Sequence, residues 1–301
     1  MYKVKSPNIY ASEIAQFLNA KLIGKDFVIN HPSSPKNFSD NSLFYLDKDD
    51  IYPKERLKKY KEILILISKK IEILDENVSF IIVNNPRLQF TKVINEFYIE
   101  LMAIEISQSA KIDRNSQIGR NVLIGENSVI GPDVSIGNGT KILNNVVITG
   151  RVNIGNNCFI KNSSTIGSEG YDFEADEEGE LVHLPHIGRI LIGSNVWIGA
   201  NTTIENSAVD DTIIEDNVKI DDLVQVGANC IIRKGTKITA GVILSHKVEI
   251  GENCLLAPNV SVRNSVKIGP GVIVGIGSVV IHDLDENSVY VGNPARFLRR
   301  K

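Results

Sequence analysis

The sequence predicts a mainly β protein, a parallel β-helix of hexapeptide repeats preceded by a small amino-terminal α/β domain, and two observations carry that prediction. The first is a six-residue beat. Ile112, Ile118, Ile124, Ile130, Ile136, Ile142, Ile148, Ile154, Ile160 and Ile166 stand six apart. The beat resumes at Ile192, Ile198 and Ile204, then runs from Ile214 in sixes to Val280, and all 25 positions are aliphatic. The second is an uneven composition: 13 of the 19 aromatic residues lie before residue 112, whereas 22 of the 23 glycines lie after it.

A period of six fits neither the 3.6 of a helix nor simple strand alternation. It fits stacked triangular coils of about 18 residues, three hexapeptides each, with one aliphatic side chain per face turned to the axis. Aromatic rings are too large for that axis. Glycine often follows the aliphatic residue, as in Ile118-Gly119 and Ile136-Gly137, which suits a corner needing a permissive backbone.

The first domain spans 1–105. Ser12 is placed to cap a helix from Glu13 to Leu18, Glu62–Ser68 and Ser79–Val83 read as buried strands, and Asn85-Pro86 opens a helix through about Leu101. Its single glycine, Gly24, excludes a glycine-rich phosphate loop. The β-helix spans 106–284, broken by an insertion at 167–189 and a four-residue offset near 206–211; a cap follows at 285–301. The insertion holds Tyr171, Phe173, His183 and His186. It reads either as a substrate loop or, over 172–180, as a disordered acidic stretch.

A net charge of -3, with one short basic run from Arg296 to Lys301, gives no footprint for nucleic acid. No apolar run is long enough to span a membrane and the polar start lacks a secretory signal, so a cytoplasmic protein is expected. Cys158, Cys230 and Cys254 are odd in number and far apart, which points to buried thiols and to no metal site.

The segments F-L-N-A-K-L-I-G (17–24), V-N-N-P (83–86), G-S-E-G-Y-D-F (167–173), L-P-H-I-G-R-I-L-I-G (184–193), W-I-G-A-N-T-T-I (197–204) and D-D-T-I-I-E-D-N-V-K-I-D (210–221) resemble the left-handed β-helix acyltransferases. The similarity is greatest to the UDP-3-O-acylglucosamine N-acyltransferases and related nucleotide-sugar N-acetyltransferases. The resemblance implies a left-handed coil, a homotrimer with sites between neighbouring coils, a UDP- or dTDP-amino sugar as acceptor, and a thioester donor. In S-L-F-Y-L-D-K (42–48), it marks Tyr45 as the ring that stacks on the base, with Asn85, Tyr171, Phe173, His183, His186 and Asp221 as further acceptor-binding residues.

The family's catalytic histidine sits in a stretch like Q-I-A-H-N. Here Gln225–Asn229 reads Q-V-G-A-N, with Ala228 at that position and Asp221 seven before it. One coil on, L-S-H-K-V-E-I-G (244–251) resembles the histidine segment of the sugar N-acetyltransferases. Amine attack on a thioester needs a proton acceptor, and an imidazole titrates near neutral pH, so His246 is the expected base. One further coil brings Asn264, whose backbone N–H is the expected oxyanion donor.

The ending, G-I-G-S-V-V (275–280) and V-G-N-P-A-R (291–296), resembles that of coenzyme A dependent acetyltransferases. It marks Gly275, Gly277, Ser278, Pro294 and Arg296 as cofactor-binding, and the helical extension of carrier-protein dependent relatives is not expected after Lys301. The expectation is therefore an acetyl-CoA or short acyl-CoA dependent N-acyltransferase of surface glycan synthesis. The alternatives are an acyl-carrier-protein dependent N-acyltransferase of lipid A biosynthesis and, in another class, a non-catalytic trimeric nucleotide-sugar binding scaffold. Zinc-dependent hydration of carbon dioxide needs three converging histidines, and His246 alone lies on a regular coil between 192 and 280.

Overall fold

The computed structural model describes residues 2–47, 54–69, 76–101 and 103–301, in two units, Met1–Ala103 and Ile104–Lys301. In the first, a five-stranded sheet runs Leu22–Ile23, Val78–Ile82, Ile63–Ile67, Ser42–Tyr45, His31–Pro32, with the last four strands parallel. The central run I-L-I-L-I is buried throughout because both faces are covered. Leu64 and Leu66 pack with Ile14, Val93 and Tyr98, whereas Ile63, Ile65 and Ile67 pack with Phe38, Phe44 and Phe80.

The two helices expected in this unit each depart from expectation at one end. The first runs Ala11–Phe17 and begins before Ser12, because Asp26 captures the Ser12 hydroxyl at 2.7 Å and its N–H at 2.9 Å. Glu13 caps instead, accepting from the Tyr10 N–H at 2.8 Å. The second opens on Pro86 as expected, with the Asn85 side chain accepting from the Leu88 N–H. It stops short of Leu101: a wider turn over Ile94–Tyr98 drops Tyr98 into the core, and Ile99–Leu101 pairs antiparallel with Tyr2–Val4. Lys48, the end of the segment that holds Tyr45, lies outside the described residues.

The second unit is the expected parallel coil. Ile112 pairs with Ile130, Ile130 with Ile148 and Ile148 with Ile166, the expected one-coil step, and the pattern repeats on three sheets of nine, eight and ten strands. Inward aliphatic residues such as Ile160, Ile198, Ile220 and Val226 are fully buried. Each coil donates backbone hydrogen bonds to the next, as from Gly137 N–H to the Ile154 carbonyl at 2.8 Å. Small polar groups fill the corners. Thr140 and Thr236 hydroxyls donate to the Gly155 and Gly251 carbonyls, and the three buried thiols donate to Gly193, Ser245 and Gly269 carbonyls at 3.1 Å. Burial pushes all three thiols up, Cys230 to about 12.

The glycines after the aliphatic positions answer a different need from the one expected. Asparagines, not these glycines, take the left-handed corner: Asn127, Asn145, Asn157 and Asn217 have φ of 56°, 58°, 55° and 61°. The glycines allow coils to approach. A Cβ on Gly137 would lie 2.5 Å from the Gly155 carbonyl carbon, and one on Gly155 would lie 2.6 Å from that of Gly193.

The breaks in the beat are visible as steps in the register. Ile166 pairs with Ile204, more than twice the usual step along the chain, because the insertion leaves and rejoins within that coil. Ile204 then pairs with Val226, and this slightly longer step is the four-residue offset. The insertion is ordered: Phe173–Ala175 and Leu181–His183 form an antiparallel hairpin, and the acidic turn closes on the Asp176 carboxylate, which accepts from Glu178 and Glu180 N–H. At the far end Ser288–Val291 adds a last parallel strand beside Ile273–Val274, and Arg296–Arg300 folds back on it.

Candidate active site

Beneath the insertion lies a cavity of about 650 Å³ between the hairpin and one corner of three successive coils. The regular coil step sets its floor, because Ala228 and His246 occupy equivalent corners one coil apart. Lys247 N–H donates to the Ala228 carbonyl at 2.8 Å, and Gly227 lies close enough to the His246 backbone that a Cβ there would stand 2.9 Å from its nitrogen. Ala228 is nearly buried, and its single methyl leaves the corner open for the imidazole of His246. Tyr171, Leu184 and His186 descend from the insertion to the same cavity.

Glu205, which the sequence did not single out, is the half-buried carboxylate among the lining residues, where Asp172 and Glu174 are exposed. It stands one residue after a coil position and just before the four-residue offset. Its carboxylate accepts from the Gln225 side chain at 2.6 Å and from the Ala228 N–H at 3.2 Å. Burial pushes its pKa up, and the Ala228 N–H, Gln225, His186 and His246 pull it back. A carboxylate that senses two imidazoles in one cavity can stabilise a proton on either. The sequence signal for it is slight, a charged residue between Ile204 and the buried Asn206, where the hexapeptide pattern breaks.

The other expected residues are distributed as follows. Tyr171 is 90% exposed, and Phe173 meets it edge-on at 5.1 Å and meets His183 at a tilt at 5.0 Å; neither Phe173 nor His183 lines the cavity. Asp221 is exposed and also outside the lining, its carbonyl accepting from the Thr202 hydroxyl at 2.9 Å. Asn264 is exposed on the next coil, beside Ser265, whose N–H donates to the His246 carbonyl. Tyr45 and Asn85 belong to the amino-terminal unit, where Tyr45 packs against Phe90 at 5.1 Å and Asn85 caps its helix. Gly275, Gly277, Ser278, Pro294 and Arg296 lie where the last coil meets the cap. There Ser278 is buried with its hydroxyl accepting from Gly292 N–H at 3.0 Å, while Gly277, Pro294 and Arg296 are exposed.

A groove of about 760 Å³ adjoins the cavity, shares Asn229 and Lys247 with it, and carries Arg151 and Arg189. Among the described residues no helix is long and apolar enough to cross a membrane.

The sequence profile of the bacterial transferase hexapeptide (six repeats) family matches residues 133–168. A probable mitochondrial UDP-3-O-acylglucosamine N-acyltransferase 2 of Arabidopsis thaliana is 36% identical over 48% of this chain and 47% of its own length. The UDP-3-O-acylglucosamine N-acyltransferase of Pseudoalteromonas translucida is 39% identical over 46% of this chain and 40% of its own. The chain thus spans under half the length of these two relatives. Among solved structures, LpxA from Acinetobacter baumannii matches with a TM-score of 0.59 at 25% identity, over 64% of this chain and 73% of that one. UDP-3-O-acylglucosamine N-acyltransferase 1 of Francisella tularensis is matched more fully, at 38% identity over 75% of this chain and 72% of the relative. With that match added to a hexapeptide coil interrupted by the expected insertion, the chain belongs to the UDP-3-O-acylglucosamine N-acyltransferase family.

Proposed function

We propose that the chain transfers an acyl group from a thioester to the amine of a UDP-linked amino sugar of the UDP-3-O-acylglucosamine type. The observation that carries this reading is the placement of His246 and Glu205 in one cavity roofed by the insertion. The amine nitrogen attacks the thioester carbonyl, His246 takes the nitrogen's proton, and as the carbon–sulfur bond breaks the imidazolium returns that proton to the sulfur, which leaves as a thiol. Glu205 stabilises the imidazolium formed, and the Asn264 backbone N–H is the candidate donor to the oxyanion. Lys247, together with Arg151 in the adjoining groove, supplies positive charge for the acceptor's diphosphate.

The acetyl-CoA donor expected from the sequence is the weaker reading. The relatives reported above are named for acylation of UDP-3-O-acylglucosamine, which favours a longer acyl group carried on acyl-carrier protein. A homotrimer, with each cavity facing a neighbouring coil, is part of the same proposal and is checked by light scattering.

Purified chain mixed with UDP-3-O-acylglucosamine and either acyl-carrier-protein thioester or acetyl-CoA, read by mass spectrometry, tests the function. N-acylated product from the carrier-protein donor is expected, and His246→Ala should lower turnover by about 10²–10⁴. Product from acetyl-CoA alone would restore the short-chain reading. No product from either donor would leave the binding scaffold.

A further inference from the structure

At the root of the insertion, three side chains turn toward one point. Glu169, His183 and His186 each bring one candidate ligand atom within 4.8 Å of the others. Glu169 stands where the chain leaves the coil, and the two histidines stand where it returns.

Hydrogen bonding fixes which ring nitrogens are available. His186 is 7% exposed, and its Nδ1 lies 2.9 Å from the Leu184 carbonyl. A carbonyl only accepts, so Nδ1 carries the proton and Nε2 keeps its lone pair. No hydrogen bond reaches that Nε2 among the described residues, and it faces Gly170, where a Cβ would stand 2.7 Å from it. His183 repeats the arrangement. Its Nε2 lies 3.2 Å from the Gly170 carbonyl, which leaves the lone pair on Nδ1, and Nδ1 lies 3.2 Å from the Glu169 carboxylate.

A lone pair and a carboxylate oxygen at that distance repel unless a proton or a metal ion lies between them. A second proton on His183 would satisfy Glu169 without engaging the Nε2 of His186, whose own charged neighbour is Glu205. A metal ion satisfies all three. Backbone carbonyls receiving the far N–H of each imidazole are the arrangement that orients histidine ligands. Two ligand atoms on a tetrahedral zinc stand roughly 3.4 Å apart. The His183–Glu169 pair already meets that spacing, and modest closure brings in His186.

We propose that Glu169, His183 and His186 form a three-ligand site for a divalent transition metal, zinc by preference for two nitrogens and a carboxylate. The ion ties the outgoing arm of the insertion to its returning arm and leaves a fourth position for water. Because His186 also lines the cavity, the ion sits at the cavity's edge and holds the roof over it. Cysteine count and regular ligand spacing give no hint of such a site, because the hairpin is what brings its ligands together.

The test uses the full chain without a histidine tag, stripped with chelator, then titrated with Zn²⁺ alone by calorimetry and with Co²⁺ by visible absorption. One equivalent per chain and the intense bands of a four-coordinate Co²⁺ are expected. Glu169→Gln and the double variant His183→Ala/His186→Ala should weaken binding by more than about 100-fold, beyond the loss of merely supporting contacts. His31→Ala and His282→Ala should leave it unchanged. Absence of a one-to-one endpoint in the wild-type chain overturns the proposal, as does an unchanged endpoint in Glu169→Gln. That carboxylate is 56% exposed, so its loss leaves the fold intact.

Discussion

The coil and its insertion occupy the same unit and are built on opposite principles. In the coil, identity is repeated: an aliphatic residue at every sixth position, a paired neighbour one coil away, and backbone hydrogen bonds passed from coil to coil. In the insertion nothing repeats. A short hairpin is held by one aromatic cluster, Tyr171–Phe173–His183, and by local carboxylate contacts, with Leu181, Val182 and Ile187 exposed. The difference assigns labour. Repetition produces a rigid wall with one available chemical position per corner, and the irregular segment supplies what the wall lacks, a roof and convergent side chains.

The comparison is broken most severely by truncating the wall. Ile220 is fully buried between Ile198 and Ile238 of the adjoining coils, so Ile220→Ala should cost about 2–5 kcal/mol in denaturant unfolding. Tyr171→Ala, at a residue 90% exposed on the roof, should stay within about 0.5 kcal/mol while reducing acceptor turnover. Equal losses of stability would mean that the insertion is part of the core.

A smaller effect separates the two ways in which glycine is used. Gly137 has an ordinary φ but no room, so Gly137→Ala should cost about 1–3 kcal/mol as coils are forced apart. Gly179, at the hairpin turn, has open space where a methyl would stand, with no atom within 4 Å, but a φ of 84°. Gly179→Ala should therefore cost only about 1–2 kcal/mol and leave the coil's unfolding cooperative. Thermal unfolding of both variants checks the order, which reverses if backbone conformation rather than crowding governs the coil.

The same contrast explains what could be read from the residues alone. The coil was legible because each face demands one aliphatic side chain at a fixed interval, a constraint written at 25 positions. The position of the insertion was legible as a gap in that beat, but its hairpin was not, since Phe173 and His183 meet only through pairing across an acidic turn. The position of His246 at a coil corner was legible from the hexapeptide register. Glu205 was not, because a single glutamate in a hexapeptide reads as solvated until the offset after it turns the carboxylate onto Gln225 and Ala228. Ser12 misled for a similar reason: a distant residue, Asp26, took the hydroxyl that local sequence offered to the helix.

The smallest expected effect lies at the seam, where the insertion rejoins the wall. Arg189 forms a two-pronged pair with Asp211 on the next coil, Nε to Oδ1 at 2.9 Å and Nη2 to Oδ2 at 2.7 Å. The guanidinium holds the Asp211 carboxyl below the usual carboxylate range. A carboxyl depressed in the folded state adds stability above its unfolded pKa, near 3.9, and loses that contribution as pH falls through the lower folded value. Asp211→Asn should therefore reduce the melting temperature slightly and evenly from pH 5 to 8, with the gap from wild type closing as the solution is acidified below about pH 4. Side chains this exposed are screened, so the shift should be smaller than that of either glycine variant and should shrink further in high salt. A gap that widened in acid would mean that the seam is held by something other than this pair.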